Sequence, residues 1–114
     1  MSVRLKTSIW VDAFLRQAMV NGLFGAVVHK GAEEAGSVLL VVNHLDGTHD
    51  LLEPPPGPAY TDEGIRRFVK YAQHAQSWPD ISDRIAKKRK SDPDIWVVEV
   101  EDRSGYGGAQ LDIE

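Results

Sequence analysis

Apolar residues recur at a helical period in two parts of the chain. Over residues 8–21 they occur in adjacent pairs every four residues, which gives one broad apolar face of a helix. Over residues 79–90, Ile81 and Ile85 form a narrower stripe, with acids in the first turn and bases in the last, as the helix dipole favours. The pattern therefore predicts two helices, one at the start of the chain and one in its last third.

A second pattern, apolar at both alternating positions, marks residues 95–98 as the most strand-like run. A strand with two apolar faces must be covered on both sides, so we predict that this run is the central strand of a sheet. Pro93 separates it from the preceding helix, because the residue before a proline avoids helical angles. We expect Trp96 and Val98 to pack beside the first helix.

Two hairpins are predicted between the helices. Residues 24–30 and 36–43 are β-rich and flank a polar loop bounded by small residues, which is typical of a hairpin. The dipeptide Asp46-Gly47 suits the positive φ angles of a two-residue type I′ turn, which predicts a second hairpin. In the register set by this turn, His44 faces His49 across the two strands.

Three further segments complete the prediction. Residues 53–58, which begin with Glu53, are rich in proline and lack ladder donors, so we expect an extended surface connection. Residues 61–76 combine helical spacing with strand-like composition and slightly favour a helix, whereas residues 110–113 suggest a short edge strand. The predicted fold class is α+β: a mainly antiparallel sheet of five or six strands with two helices, in the approximate order α-β-β-β-β-α-β-β.

Length, cysteine content and charge narrow the class of protein. A chain of 114 residues fits a single domain, here residues 1–114. The absence of cysteine excludes disulfides, thiolate metal sites and cysteine nucleophiles. The formal charge of −4 argues against nucleic acid as a partner, although five bases lie between Arg84 and Lys90. Since no apolar signal core or membrane-length run of roughly 18 residues is seen, we expect a soluble, cytoplasmic protein without a membrane partner.

Two motifs resemble those of a known family. The first covers residues 92–102, Asp-Pro-Asp-Ile-Trp-Val-Val-Glu-Val-Glu-Asp, and the second covers residues 45–51, Leu-Asp-Gly-Thr-His-Asp-Leu. With Arg4-Leu5-Lys6 and the helix after it, they resemble small alphaproteobacterial proteins known only as a domain of unknown function. The family has no assigned activity, so the resemblance carries no catalytic or ligand role to any residue. Its Arg-aromatic-Val pattern implies a strand at residues 67–72.

Carboxylates and histidines are the candidate metal ligands. Hard cations need several oxygens at about 2.0 to 2.6 Å, but Asp94 and Glu101 lie about 23 Å apart along a strand that rises about 3.3 Å per residue. Glu99 and Glu101 share a strand face, and His44 with His49 would offer two imidazoles to zinc. The candidate metal ligands are therefore His44, His49, Glu99 and Glu101, and we predict no catalytic or cofactor-binding residue.

Two functions are compatible with these patterns. The first is a non-catalytic interaction or accessory domain of a bacterial cytoplasmic protein, with another protein as partner and no cofactor. The alternative is a small metal-dependent hydrolase or nuclease that uses the carboxylates or the His44/His49 pair. The sequence contains neither a Gly-x-Ser-x-Gly turn nor a glycine-rich loop that opens a helix, which favours the interaction domain.

Overall fold

The computed structural model describes residues 5–108 and 111–114 and contains two helices and six strands in the predicted order. The helices are α1 (Thr7–Val20) and α2 (Trp78–Ser91), and the strands are β1 (Gly25–His29), β2 (Val38–Asn43), β3 (His49–Glu53), β4 (Arg67–Lys70), β5 (Trp96–Glu101) and β6 (Asp112–Ile113). Both helices match their predicted bounds within about one residue. The predicted α+β class is confirmed.

The six strands form one mixed sheet in the order β1-β5-β2-β3-β4-β6. β2 and β5 pair in parallel, as do β4 and β6, whereas the other three pairs are antiparallel. The strand that the resemblance implied at residues 67–72 is present as β4, two residues shorter than predicted. The helix that the local pattern slightly favoured over residues 61–76 is wrong, because β4 pairs with β3 and β6 there. The predicted strand over residues 110–113 is present as β6. Gln110, where the predicted strand begins, lies outside the described residues.

The two helices cover opposite faces of the sheet. On the α1 face, Val11, Phe14 and Ala18 pack in a cluster with buried residues of β2, β3, β4 and β5, including Trp96 and Val98 as predicted. On the α2 face, the second cluster consists of Leu39, Val41, Leu51, Ile81, Ile85, Ile95 and Val97. β2 and β5 are apolar on both sides because they lie between the two helices, as the sequence pattern requires.

The predicted hairpin between residues 24–30 and 36–43 is wrong, because β5 lies between β1 and β2. The loop between those segments crosses the start of β5 instead. There the N–H of Ala32 donates to the carbonyl of Asp94 at 2.9 Å, and the indole Nε1–H of Trp96 donates to the carbonyl of Ala32 at 2.7 Å. A strand with two apolar faces is buried inside the sheet, which displaces β1 to the edge. β5 is therefore second in the sheet and not at its centre.

The second predicted hairpin is confirmed, but its register is wrong by one residue. Asn43, and not His44, lies opposite His49, so five residues form the loop. The carboxylate of Asp46 accepts hydrogen bonds from the N–H and hydroxyl of Thr48, at 2.9 and 2.6 Å, and Leu45 has a φ of 61°. These side-chain bonds stabilise a wider turn than the two-residue form that Asp-Gly suggests.

The predicted surface connection over residues 53–58 begins one residue too early. Glu53 is the last residue of β3, and only 5% of it is exposed. Its carboxylate accepts two hydrogen bonds from the Arg84 guanidinium, at 2.6 and 3.0 Å, and lies 3.6 Å from the amine of Lys88. These α2 cations compensate the burial of the charge, so the strand continues to the first proline.

Candidate interaction surface

The structure separates the candidate histidines. His49 and Asp50 are consecutive residues of β3, so their side chains point to opposite faces of the sheet. His49 lies with its ring centroid 5.3 Å from that of Trp78 in α2, whereas His44 contacts Asp50 on the other face. The two imidazoles therefore do not converge, because the one-residue change of register removes their predicted pairing.

The candidate carboxylates are also distributed. Glu99 and Glu101 share one face of β5, as predicted; it is the α2 face, and both residues are half-buried. Asp92 lies at the end of α2, where its carboxylate accepts a hydrogen bond from the N–H of Asp94 at 3.1 Å. Within residues 5–108 and 111–114, no three or more histidine, cysteine, aspartate or glutamate side chains are grouped so that they could hold a metal ion.

His44 connects two loops at one end of the sheet. Its Nε2 lies 2.9 Å from a carboxylate oxygen of Asp50, and its Nδ1 lies 2.7 Å from the carbonyl oxygen of Asp102. Both partners only accept, so the ring satisfies both contacts as an imidazolium. Burial opposes the charge, but the bonds to Asp50 and Asp102 outweigh it and raise the pKa of His44 above its usual value.

Asp102 shapes the loop that follows β5. Its side chain accepts hydrogen bonds from the backbone N–H groups of Ser104, Gly105 and Gly107 at 3.0 to 3.2 Å. Burial raises the pKa of this carboxyl, but the three N–H donors outweigh that effect and lower it. The carboxylate of Asp102, the last residue of the motif at residues 92–102, is therefore hydrogen-bonded to the backbone of its own loop.

We expect His44 to make stability depend on pH. A raised folded-state pKa means that the charged ring contributes stability that is fully present below the unfolded pKa and is lost as pH rises through the folded pKa. The wild-type protein should therefore lose stability relative to His44→Gln between pH 5.5 and pH 8.5. Urea unfolding of both proteins at the two pH values measures this, and a constant difference between them would contradict it.

The edge of β1 is open among the described residues. β1 is the first strand of the sheet and, within residues 5–108 and 111–114, pairs only with β5. Its side chains Val27 and Val28 are 41% and 59% exposed, and Phe24, directly before the strand, is 65% exposed. An edge strand with exposed apolar residues can pair with a further strand.

Two residues direct their backbone groups to this open edge. The carbonyl of Phe24 accepts a hydrogen bond from the N–H of Glu101 at 2.8 Å, so Phe24 belongs to a hydrogen-bonded pair with β5. Such pairs alternate along an antiparallel ladder, so Ala26 bonds to β5 whereas Gly25 and Val27 point their N–H and C=O groups outward. In the part of the chain that the structure describes, these four groups form no hydrogen bond with β5 and point to the side where another backbone can pair.

Different chemistry lies on the two sides of this edge. On the α1 face, a groove of about 430 Å³ lies between the C-terminal half of α1 and the start of β1; its apolar lining is Leu15, Met19, Leu23 and Phe24, with Asp12 and Arg16 also lining it. On the α2 face, a groove of about 450 Å³ is lined by His29, Ala86, Arg89, Lys90 and Pro93.

The groove on the α2 face is basic. Arg89 reaches β1, where its guanidinium lies 3.1 Å from Nδ1 of His29. Among the residues that the structure describes, neither Arg89 nor Lys90 forms an ion pair. Two carboxylates of β5, Glu99 and Glu101, also lie on this face, but the lining of the groove contains the cations Arg89 and Lys90 and no carboxylate. The basic run at the end of α2 is therefore placed beside the open strand.

Sequence reasoning missed this surface because it paired residues 24–30 with the wrong strand. The adjacent Val27 and Val28 give this segment apolar residues on both faces, as in the buried strands β2 and β5, so the local pattern does not mark an edge. A bulge between Val27 and His29 accommodates them, and Val28 is the additional residue. Only the position of β5 in the sheet reveals that this segment is an edge.

The described part of the chain defines a small α+β protein with a mixed sheet between two helices, an edge strand open on one side and no helix long and apolar enough to cross a membrane. Residues 5–109 match the model of a family described as protein of unknown function (DUF1491), and the chain belongs to this family. No curated protein matches the sequence.

Solved structures of similar proteins have the same fold. A crystal structure of a DUF1491 family protein from Caulobacter crescentus CB15 is 34% identical, with a TM-score of 0.79 over 96% of this chain and 99% of that chain. The solution structure of protein Atu0922 from A. tumefaciens is 31% identical, with a TM-score of 0.82 over 98% of both chains. These similarities confirm the alphaproteobacterial family that the two sequence motifs indicated.

Proposed function

We propose that this protein is a non-catalytic interaction domain that binds an extended segment of another protein at the open edge of β1. The observation that carries the proposal is the combination of an unpaired strand edge with an apolar groove on one face and a basic groove on the other. Strand addition obtains affinity from main-chain hydrogen bonds and selectivity from the alternate side chains.

The two grooves specify the chemistry of the partner segment. Successive residues of an added strand point to opposite faces of the sheet. One set of side chains would enter the apolar groove beside Leu15 and Phe24, and the other set would lie over Arg89 and Lys90. The partner segment should therefore alternate apolar and acidic residues.

β5 already pairs with β1 in this way. Val98 and Val100 of β5 belong to the α1-face core, whereas Glu99 between them lies on the α2 face. A segment of similar sequence on the other side of β1 would place valines and glutamates on the same faces. This internal pairing supports the alternating pattern independently of the grooves.

The edge is short, which favours a specific partner over open-ended association. The bulge at Val28 interrupts the regular ladder, and Lys30 places a charge directly after the strand. Bulges and edge lysines are the features by which sheets resist aggregation. The regular part of the edge therefore offers the two outward residues, Gly25 and Val27, to one incoming segment.

A labelled peptide tests the proposal. The probe is an acetylated, amidated and fluorescently labelled Val-Val-Glu-Val-Glu, which copies residues 97–101. We expect saturable binding by fluorescence anisotropy, and binding at least tenfold weaker when both glutamates of the peptide are lysine. Charge reversal of Arg89 and Lys90 to glutamate should invert this preference. Equal binding of the acidic and basic peptides would contradict the proposed partner chemistry.

Two proline variants separate the edge from the fold. Val27→Pro removes an outward N–H, and an edge strand tolerates proline at such a position, so we expect a folded protein that no longer binds the peptide. Ala26→Pro removes an N–H that bonds to β5 and should destabilise the fold, because proline cannot donate to the ladder. If Val27→Pro binds the peptide as well as the parent does, strand addition at this edge is wrong.

Val27→Pro also tests whether a second copy of this protein, and not another protein, pairs with the β1 edge. Sedimentation velocity of the protein without peptide should show a monomer, because the basic groove on each copy would face a basic groove in a two-fold pair. A dimer that dissociates on Val27→Pro substitution would show that the edge is occupied by the protein itself and would contradict an acidic partner.

A further inference from the structure

Arg66 carries a buried charge at the other end of the sheet. It directly precedes β4, and only 5% of the residue is exposed. Its guanidinium lies 4.9 Å from the ring centroids of both Trp10 and Tyr60, and its Nη2 donates to the Tyr60 hydroxyl. Its Nε is buried without any hydrogen-bond acceptor among the described residues.

No carboxylate of the described residues pairs with this guanidinium. The remaining positions, 1–4 and 109–110, contain no acidic residue. Elsewhere the chain compensates its buried acids, with Arg84 beside Glu53 and His44 beside Asp50. Arg66 is thus a buried cation that receives aromatic and hydroxyl contacts but no anion.

Burial of this charge is unfavourable for the protein alone. Burial lowers the pKa of the Arg66 guanidinium, although the Tyr60 contact opposes that effect. A guanidinium nevertheless stays charged at neutral pH, so it cannot avoid the cost of desolvation by losing its proton. An anion that entered from outside would supply the missing counter-charge.

Arg66 lines a pocket of about 230 Å³ at the start of α1. The lining includes Leu5, Thr7, Ala35, Ser37, Ala59 and Tyr60. The Thr7 hydroxyl and the first two amides of α1 are already bonded to carbonyls of residues 33–36. Arg66 is therefore the cation that this pocket offers to a ligand, and the α1 dipole adds to its field. The other charged residue of the lining, Glu34, lies 3.7 Å from the amine of Lys6.

We propose that this pocket binds a single carboxylate group attached to a small apolar body. One guanidinium matches one negative charge, and the small apolar side chains leave space for a short aliphatic group. Glu34 at the rim opposes a second negative charge, which disfavours phosphate. A guanidinium pairs well with a carboxylate because its planar N–H donors match the two oxygens. The site is independent of the β1 edge.

The carboxylate can belong to a free small acid or to the end of a polypeptide. Propionate represents the first source, and N-acetylalanine represents the second. N-acetylalanine amide is the neutral control of the same shape, and inorganic phosphate is the control for charge. All four are titrated at constant ionic strength, with the buried Nε–H of Arg66 followed by proton–nitrogen NMR.

A saturable shift of the Arg66 Nε–H with propionate or N-acetylalanine, and none with the amide, is the expected result. Binding of N-acetylalanine at least tenfold tighter than propionate would identify a polypeptide terminus, and similar affinities would identify a free acid. No saturable shift with either acid, an equal shift with the amide, or tenfold tighter phosphate binding would overturn the proposal.

Two variants place the binding at Arg66. Arg66→Met keeps the length and apolar body of the side chain and should weaken carboxylate binding at least tenfold, and Arg66→Lys tests whether a charge without the planar fork suffices. Unchanged affinity in a folded Arg66→Met protein would contradict the site. If neither variant folds, the comparison of acid with amide in the parent protein decides the question.

Discussion

Trp96→Ala should lower the free energy of unfolding by about 3 to 5 kcal/mol, a large part of the roughly 5 to 15 kcal/mol that holds a domain together. The indole is 4% exposed and belongs to the core beneath α1. Its removal leaves a large cavity, and the carbonyl of Ala32 loses the Nε1–H donor that lies 2.7 Å away. Urea unfolding followed by far-UV circular dichroism measures the loss.

Glu101→Gln is the matched control for the same strand. Glu101 is half-buried and forms no ion pair with a described residue, and the backbone N–H that it donates to Phe24 is unchanged by the substitution. We expect a change within about 0.5 kcal/mol. A Trp96→Ala protein as stable as the parent would show that the indole is displayed for a ligand and is not part of the core.

Gly31→Ala should destabilise the protein by about 3 kcal/mol, because the loop before β2 has no space for a side chain at this position. A Cβ at Gly31 would lie 2.1 Å from the carbonyl oxygen of Asp94 and 2.7 Å from Cδ1 of Trp96. The loop would have to move away from the start of β5, with loss of the Ala32 hydrogen bonds. Thermal and urea unfolding report the change.

The control for this substitution is Gly57→Ala, in the proline-rich connection. A Cβ there would have no heavy atom within 4 Å. Because alanine restricts the unfolded chain more than glycine does, we expect either no change or a gain of up to about 1 kcal/mol. Similar losses for both variants would mean that the contact between the loop and β5 does not determine the effect.

Local patterns predicted the elements well. The apolar spacing of α1 and α2, the doubly apolar run of β5 and the hairpin signal at Asp46-Gly47 are each properties of a few consecutive residues. Because β5 has apolar residues on both faces, its composition alone required that both faces of the sheet be covered. The fold class and most of the order of elements could therefore be predicted from local patterns, whereas β4 was predicted from the family resemblance, since local spacing favoured a helix there.

Strand neighbours and register could not be predicted, because they depend on contacts distant in the chain. β5 separates β1 from β2 although it follows them by more than fifty residues, and no local signal of residues 24–43 records this. The register of the β2–β3 hairpin depends on the side-chain bonds of Asp46. The one-residue change of register places His44 and His49 apart, so they do not form the pair that was predicted to bind zinc.

The two proposed binding features depend on the same long-range arrangement. The edge of β1 is open because β5 lies on its inner side, and Arg66 is buried because Trp10 of α1 covers it. The sequence contained a partial signal for the burial of Arg66, because the adjacent Arg66 and Arg67 at the start of a strand must point to opposite faces. Arg67 pairs with Asp112 at 3.4 Å, whereas Arg66 turns inward.

Hydrogen exchange at two amides tests the proposed strand addition most directly. With saturating Val-Val-Glu-Val-Glu peptide, the amides of Gly25 and Val27 should exchange at least tenfold more slowly, because their N–H groups would enter a new ladder. The amide of Ala26, which already bonds to β5, should change much less. Unaltered exchange at Gly25 and Val27, or protection confined to another part of the sheet, would contradict binding at the β1 edge.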